Sequence, residues 1–240
     1  MNEATLVSVE HGITYGDWVA EYINTLIHAM PLASPLLVPV RLRSRPFVER
    51  DLVALGIDFR FIDRPTFVRQ ATVLHKRRYL GRWTKEDVAA YRAAFGITTE
   101  PPRRGSLLYL SREGVPHLQH HPTRVYPNAE VGALVASLGG RTLKTQQLGL
   151  KDFVNARTEA ETVVADHGSA MVNLQLWETK NVIELVTDGW WDPSMMSVAK
   201  SSGVRNYAIV RVSGSGSACI AAIRNWIKSF QTSVDSLWAD

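Results

Sequence analysis

Apolar and polar residues follow one another along the chain in two alternating patterns. Short apolar runs such as residues 35–40 (PLLVPV) and 161–166 (ETVVAD) have the length and composition of buried strands. Each run is followed by a stretch of helical periodicity, and residues 15–30 place Trp18, Tyr22 and Leu26 on one helical face. Strands that alternate with helices predict an α/β fold with parallel, doubly wound sheets.

The alternation is interrupted at residues 96–106 (GITTEPPRRGS), where Pro, Gly, Thr and Arg replace the periodic apolar residues. This interruption predicts a domain boundary. We expect an N-terminal half at residues 1–100 and a C-terminal half at residues 101–240 that ends in a long helix. A chain of 240 residues is long enough for two such domains.

Two groups of polar residues in the C-terminal half come directly after predicted strands. Arg112 follows the strand at residues 106–111, and residues 167–169 (His-Gly-Ser) follow the strand at residues 161–166. Ligands of parallel, doubly wound sheets bind beyond the carboxyl ends of the strands. These polar residues therefore converge on one site if the two strands are neighbours in the sheet.

The turn at residues 167–169 has the composition of an anion-binding site. A helix that begins at Ser169 leaves its first backbone N–H groups unpaired and directs its positive dipole end at the turn. Gly168 allows close approach of the backbone, His167 can donate to an anion, and Arg112 can supply a bidentate guanidinium. The alternative is structural, with Ser169 as a helix cap and His167 as a hydrogen-bonded core residue. Arg112 and Arg124 are then surface arginines.

Composition and charge exclude several other classes of protein. The chain has 27 Lys and Arg residues against 23 Asp and Glu, a formal charge of +4 that is far from the excess typical of nucleic-acid-binding proteins. Its single cysteine, Cys219, excludes an internal disulfide and fits a reducing compartment. No apolar run approaches the ~20 residues of a membrane-spanning helix. We therefore expect a soluble, cytoplasmic protein without a nucleic-acid partner.

Two short segments suggest further ligands. Residues 117–122 (HLQHHP) contain three histidines, but no nearby cysteine or carboxylate completes a tetrahedral set, so we expect a polar loop and no bound metal. Residues 75–83 (HKRRYLGRW) predict either a solvated basic loop or a surface that faces an anionic acceptor or the membrane. The last alternative would add a peripheral association with the inner face of the membrane.

The order of these segments resembles that of the bacterial members of glycosyltransferase family 61. That family combines an aromatic N-terminal helix of the form YxHWxx(D/E), a PLLVP strand, a helix that ends in LGI, and an LYxSR strand followed by R…NExE. A later HG(A/S)xxxN turn precedes a VIEL strand. The corresponding segments of this chain are YGDWVAEYINTL (15–26), PLLVPV (35–40), LGI (55–57), LYLSREG (108–114), RVYPNAEV (124–131), HGSAMVN (167–173) and VIEL (182–185). The resemblance covers residues 11–210, and LYLSR followed by HGSAMVN is its most specific part.

This resemblance implies a GT-B fold, in which two Rossmann-like, doubly wound halves face a cleft, with a reduced first half in a chain of this length. It implies a metal-independent, inverting transfer of a sugar from a nucleotide diphosphate donor to a glycan hydroxyl in surface polysaccharide synthesis. No cofactor is expected. The nucleotide-sugar donor would bind mainly to the second half and the glycan acceptor to the first.

The resemblance also implies roles for residues on the donor side. Arg112 and the turn at residues 167–169 would meet the diphosphate, and Arg124 would assist. Asn173 and Glu184 would fix the turn and the next strand. Glu184 could instead bind the ribose of the donor.

On the acceptor side the resemblance implies Glu21 as the general base, because the family has an acidic residue at this position of its first helix. Asp17 stands where the family has a histidine. Either Asp17 takes over part of the catalytic role, or the substrate differs, or activity is lost. The last case defines an alternative function, a catalytically weakened homologue that binds a nucleotide or glycan as an assembly partner. The chain also has NAEV (128–131) where the family usually has Asn-Glu-x-Glu, so the role of Glu130 stays open. The sequence does not identify the sugar, the nucleotide, the acceptor or the oligomeric state.

Overall fold

The structure is a computed structural model that describes residues 1–8, 14–77, 82–114, 125–145, 148–189, 191–212 and 216–232. The chain divides into two compact units, Met1–Thr98 and Thr99–Asp240. The boundary between the units lies two residues before the boundary expected after residue 100. Each unit contains its own parallel sheet, so the protein is an α/β protein with two sheets of four and five strands.

The first unit is built on four parallel strands in the order β3-β2-β1-β4. The strands are β1 (Glu3–Val7), β2 (Leu36–Pro39), β3 (Phe59–Ile62) and β4 (Gln70–Leu74). Thr5 of β1 lies opposite Leu36, and Val7 lies opposite Leu74. The strand order reverses direction at β1, as in doubly wound sheets, and places the carboxyl ends of β1 and β4 side by side.

The described part of the first unit contains six helical segments. They are α1 (Tyr15–Asp17), a π-helical segment (Trp18–Ile23), α2 (Asn24–Ala29), a 3₁₀ helix (Val40–Ser44), α3 (Pro46–Ala54) and α4 (Lys85–Ala94). Trp18, Leu26 and Leu52 are fully buried and form part of the core. The connection from β3 to β4 consists of residues 63–69 and contains no helix, so this unit has a shorter crossover than a helical connection would give.

The second unit is built on five parallel strands in the order β6-β5-β7-β8-β9. The strands are β5 (Leu107–Ser111), β6 (Arg141–Lys144), β7 (Thr162–Asp166), β8 (Asn181–Thr187) and β9 (Asn206–Val212). Leu110 of β5 lies opposite Ala165 of β7, which confirms that these two strands are neighbours. The order reverses direction at β5. In sheets of this order the ligand binds where the first and third strands end, which here are β5 and β7.

The helices of the second unit pack around a core that includes Tyr109, Val164, Ile183 and Ile223. They are α5 (Asn128–Ser137), α6 (Leu150–Asn155), a 3₁₀ helix (Arg157–Glu159), a longer 3₁₀ helix (Ser169–Leu176), α7 (Ser194–Ser201) and α8 (Gly216–Thr232). Across the described parts of both units, no helix has the length and hydropathy required to span a bilayer.

The segment Ser169–Leu176 differs from the helix with one apolar face that its sequence predicts. It forms a 3₁₀ helix in which every side chain from Ala170 to Leu176 is buried. A helix that is surrounded by protein on all sides has no face towards solvent, so its sequence needs no row of polar residues. The turn that precedes it is therefore held by buried contacts.

Candidate functional site

A buried polar network centred on Asp166 joins the carboxyl ends of β5 and β7. The Tyr109 hydroxyl donates to Asp166 Oδ1 at 2.8 Å. Oδ2 accepts from the Arg112 backbone amide at 2.8 Å and from Asn128 Nδ2 at 2.7 Å. The carboxylate thus receives donors from β5, from the residue that follows β5 and from the start of α5. It fixes the backbone of Arg112 relative to β7.

Burial has a large effect on the titration of this network. The Asp166 carboxyl is fully buried, and the loss of hydration raises its pKa to about 6 although Arg112, Tyr109 and Asn128 all donate to it. Burial and the nearby Asp166 carboxylate also raise the pKa of Tyr109. Tyr109 therefore remains a protonated donor, whereas Asp166 titrates close to the physiological range.

Arg112 and Gly168 are in direct contact at the end of β7. Arg112 Nη1 donates to the carbonyl oxygen of His167 at 2.6 Å, and the guanidinium lies against Gly168. Gly168 has φ 140° and ψ −167°, a conformation that is essentially restricted to glycine. A Cβ at this position would overlap Arg112 Nη1 and would lie 2.8 Å from Cζ. Only glycine therefore admits the half-buried guanidinium at the start of the segment Ser169–Leu176.

His167 is directed towards carboxylates of the protein itself. The residue is 1% exposed, and its Nδ1 lies 2.6 Å from Glu184 Oε1. Its Nε2 lies 3.4 Å from Asp192 Oδ2, in the connection between β8 and α7. Partial burial of Asp192 is outweighed by hydrogen bonds from Ser194 and by His167, and the pKa of Asp192 is lowered. In this arrangement the imidazole positions the turn, and the contact of His167 with Arg112 is made by its carbonyl oxygen.

Glu184 and Asn173 have the surroundings of structural residues. Glu184 lies within β8 opposite Ala165, is fully buried, and accepts from Trp191 Nε1 at 3.3 Å as well as facing His167. Asn173 Nδ2 donates to the Ala170 carbonyl oxygen at 2.9 Å and thereby closes the 3₁₀ turn. Both residues thus have hydrogen-bond partners within the fold, as a structural role requires.

One predicted donor-binding residue and the histidine-rich loop fall outside the described residues. Arg124 and the three histidines of residues 117–122 lie within residues 115–124, whose structure is not described. Within the described ranges, no group of His, Cys, Asp and Glu side chains is arranged to hold a metal ion.

In the first unit Asp17 serves as a helix cap. Its Oδ2 accepts from the Thr14 backbone amide at 3.2 Å and from the Thr14 hydroxyl at 2.8 Å. The Asp17 amide donates back to Thr14 Oγ1 at 3.3 Å, so the two residues form a capping box. The structure thus gives Asp17 a local role at the start of α1.

Glu21 lies in the π-helical segment that follows, near the carboxyl end of β4. Its Oε2 is 3.5 Å from Lys76 Nζ, and both side chains are largely buried. The Thr25 hydroxyl donates to the Glu21 carbonyl oxygen at 2.6 Å and accepts from the Arg77 amide at 2.9 Å. This bridge ties the helix to the residues that follow β4. Short π-helical segments occur frequently at functional sites.

The central role of Asp166 and of its partners Tyr109 and Asn128 is not predicted by the sequence. The sequence does contain one sign of this network, because the Asp166 carboxylate at the end of a buried strand requires hydrogen-bond donors. The identity of those donors was not readable, since Tyr109 and Asn128 are distant from Asp166 in sequence. Comparison of the chain with models of known families and with curated proteins found no match.

Proposed function

We propose that the chain is an inverting, metal-independent glycosyltransferase that moves a sugar from a nucleotide diphosphate donor to a glycan hydroxyl in surface polysaccharide synthesis. Its two doubly wound units would correspond to the acceptor-binding and donor-binding halves of a GT-B enzyme. The observation that carries the proposal is the position of the Arg112 guanidinium, which contacts Gly168 and the His167 carbonyl oxygen where β5 and β7 end. This is the edge at which sheets of this order bind ligands.

The donor side would stabilise the leaving group. As the bond between the sugar and the diphosphate breaks, negative charge develops on the diphosphate, and preorganised donors must meet it. Arg112 supplies a guanidinium, and Ser169 supplies a hydroxyl and a backbone amide at the start of a buried helix. Asp166 holds the Arg112 backbone in place through a hydrogen bond that is already formed in the protein. We assign Arg124 an assisting role with the same phosphates.

The acceptor side would provide the base. The acceptor hydroxyl oxygen attacks the anomeric carbon from the face opposite the diphosphate, so one C–O bond forms while the other breaks and the configuration inverts. The hydroxyl proton passes to a carboxylate, for which Glu21 is our assignment. Lys76, 3.5 Å away, orients that carboxylate.

One observation favours the second candidate function, a homologue that binds a nucleotide or glycan without turnover. Asp17 is engaged by Thr14 in a capping box, and Glu21 is engaged by Lys76. Both acidic residues of the first helix thus have partners within the protein. A binding protein would retain the donor site around Arg112 and would show no transfer.

Two measurements test the proposal. A panel of nucleoside diphosphates should raise the thermal unfolding midpoint of the wild type, and the matching nucleotide sugar should be consumed. Arg112→Ala should weaken diphosphate binding by about ten- to a hundredfold, the range for hydrogen bonds to a charged group. Arg205→Ala, which changes an exposed arginine just before β9, serves as the control and should bind normally.

The outcomes separate the two functions. Binding with turnover that is lost in Glu21→Ala supports the transferase and its base. Binding without turnover of any nucleotide sugar supports the second candidate. Full turnover by Glu21→Ala removes the base assignment. Failure of every nucleoside diphosphate to protect the wild type contradicts the transferase and a nucleotide-binding homologue, and leaves only a homologue that binds a glycan.

A further inference from the structure

The carboxyl edge of the first unit's sheet carries a group of basic residues that we call the basic edge. Its members follow β2, β3 and β4 directly in the chain. They are Arg41, Arg43, Arg45, Arg64, Lys76 and Arg77. In a parallel sheet all of these strand ends lie on one side, which is the side where ligands bind.

The strand order brings the members of the basic edge close together. β2 lies between β3 and β1, and β4 lies on the other side of β1. With neighbouring strands about 4.8 Å apart, the ends of β3 and β4 are separated by about 15 Å. A ligand a few sugar units long can therefore contact residues after more than one strand.

Only part of this charge is compensated by acids. Lys76 pairs with Glu21 at 3.5 Å, and Arg77 pairs with the buried Asp87 at 3.2 Å. The other basic residues of the edge are Arg41, Arg43, Arg45 and Arg64. In the described part of the chain, no acidic side chain forms an ion pair with any of these four arginines. Even Glu49 and Asp63, the exposed acids nearest to them in sequence, form no such pair.

Arg43 has a defined orientation within this group. Its guanidinium carbon lies 5.6 Å from the centre of the Phe61 ring, and the side chain is exposed to solvent. A guanidinium over an aromatic ring is attracted by the ring electrons, and its N–H donors can also bind a carboxylate or phosphate in bidentate fashion. Arg43 is thus an exposed donor that lies over Phe61 at the carboxyl edge of the sheet.

We infer that the basic edge binds the acceptor through anionic groups, so that the acceptor is a glycan that bears carboxylates or phosphates. This inference rests on the proposed glycosyl transfer for its assignment to the acceptor. Guanidinium groups recognise both kinds of anion by the same paired hydrogen bonds. A nucleic acid fits less well, because single strands bind by stacking their bases on exposed aromatic rings. Trp83, the aromatic residue at the end of the basic segment 75–83, is buried and donates to the Ala20 carbonyl oxygen.

Calorimetric titration of the full-length protein tests the inference with four ligands. The ligands are hexagalacturonate, the same oligomer with its carboxyls reduced, a mannose oligomer bearing phosphomonoesters, and a single-stranded DNA decamer. We expect at least one anionic glycan to bind, and the neutral oligomer to bind at least about tenfold more weakly. The two anionic glycans distinguish carboxylate from phosphate as the recognised group.

Variants locate the binding. The double change Arg41→Gln and Arg43→Gln should weaken anionic glycan binding at least about tenfold and flatten its salt dependence. Arg60→Gln, which changes an exposed arginine inside β3 rather than at its carboxyl end, should bind like the wild type. If the double variant fails to fold, hydrogen exchange of the wild type gives the same information. The bound glycan should then slow exchange at residues 40–45.

The inference is overturned if no anionic glycan binds, if the reduced oligomer binds equally well, if DNA binds more tightly, or if the arginine variants bind like the wild type. Titration with the protective nucleoside diphosphate is run in parallel. Normal diphosphate binding with no glycan binding rejects this inference alone. Glycan binding without diphosphate binding rejects the glycosyltransferase and leaves an anionic-glycan-binding protein.

Discussion

At the end of β7, contacts explain the identity of single residues. Gly168 is required because its φ of 140° is essentially restricted to glycine, and the Arg112 guanidinium lies where a Cβ would stand. Asp166 is required because it accepts from three donors on separate elements. Both residues act on Arg112, one through its side chain and the other through its backbone amide. Changes at either residue should therefore alter anion binding without touching the ligand directly.

Gly168→Ala should destabilise the protein and weaken diphosphate binding. The backbone strain alone amounts to about 1–3 kcal/mol, and the new methyl group must displace the guanidinium. Gly132→Ala is the matched control, because Gly132 lies within α5 and an added Cβ would meet Thr142 Oγ1 at an ordinary 3.5 Å. The control should be stabilised by about 0.5–1 kcal/mol. Urea unfolding and diphosphate titration of both variants measure the two effects, and equal stabilities would contradict the prediction.

Deprotonation of Asp166 should lower the free energy of unfolding as the pH rises. Its pKa is raised from 3.8 to about 6 on folding, so the folded state retains the proton that the unfolded state releases between these values. The contribution is present below pH 3.8 and is lost as the pH rises through about 6, with a size on the order of 3 kcal/mol. Asp166→Asn stays neutral. The free energy of unfolding of the wild type relative to this variant should therefore fall between pH 4 and pH 7.

A second variant controls for the sign of this effect. Asp188 is exposed, and its hydrogen bond with Arg211 lowers its pKa. The wild type relative to Asp188→Asn should therefore gain stability as the pH rises through the acidic range. A difference between wild type and Asp166→Asn that stays constant with pH would show that Asp166 does not titrate as described.

At the scale of elements, the helix that begins at Tyr15 combines a cap, a π-helical segment and a link to β4. The cap is formed by Thr14 and Asp17, and the link is formed by the Thr25 hydroxyl. Glu21 lies between these two fixed points. The position of its carboxylate therefore depends on the start and the middle of the helix together.

Thr14→Ala and Asp17→Ala should have similar effects, because each change removes one half of the same capping box. Loss of a cap lowers the free energy of unfolding by about 1 kcal/mol. Under a purely capping role for Asp17, both variants should also retain equal kcat/KM in the transfer assay. A much lower kcat in Asp17→Ala than in Thr14→Ala would instead give Asp17 a part in catalysis.

At the scale of the whole molecule, each unit has its own core, its own parallel sheet and its own candidate ligand edge. The second unit offers an anion site where β5 and β7 end. The first unit offers Glu21 and the basic edge. This division predicts that the two substrates protect different units of the protein.

Hydrogen exchange should show this division directly. The protective nucleoside diphosphate should slow exchange at residues 111–113 and 169–171 in the second unit, because these amides lie at the Arg112 site. Exchange in residues 14–77 of the first unit should not change. Protection that spreads evenly over both units would contradict the assignment of the diphosphate to the second unit alone.

The order of the elements was accessible from the sequence because hydrophobic periodicity is a local property. The strands and helices of both units occur where the apolar pattern predicts them, and Arg112 and residues 167–169 were recognised because they follow strands. The all-round burial of the segment Ser169–Leu176 was not predicted, since periodicity alone cannot show how many sides of a short helix are covered.

The partners of the site residues depend on contacts between segments that are distant in the chain. Asp166 meets Tyr109 and Asn128 only because the strand order places β5 beside β7. The His167 ring is turned towards Glu184 because β8 lies on the other side of β7. Local sequence specifies which residues stand at the ends of strands. The pairing of the strands, which buries these residues and selects their hydrogen-bond partners, arises from the packing of the complete sheet.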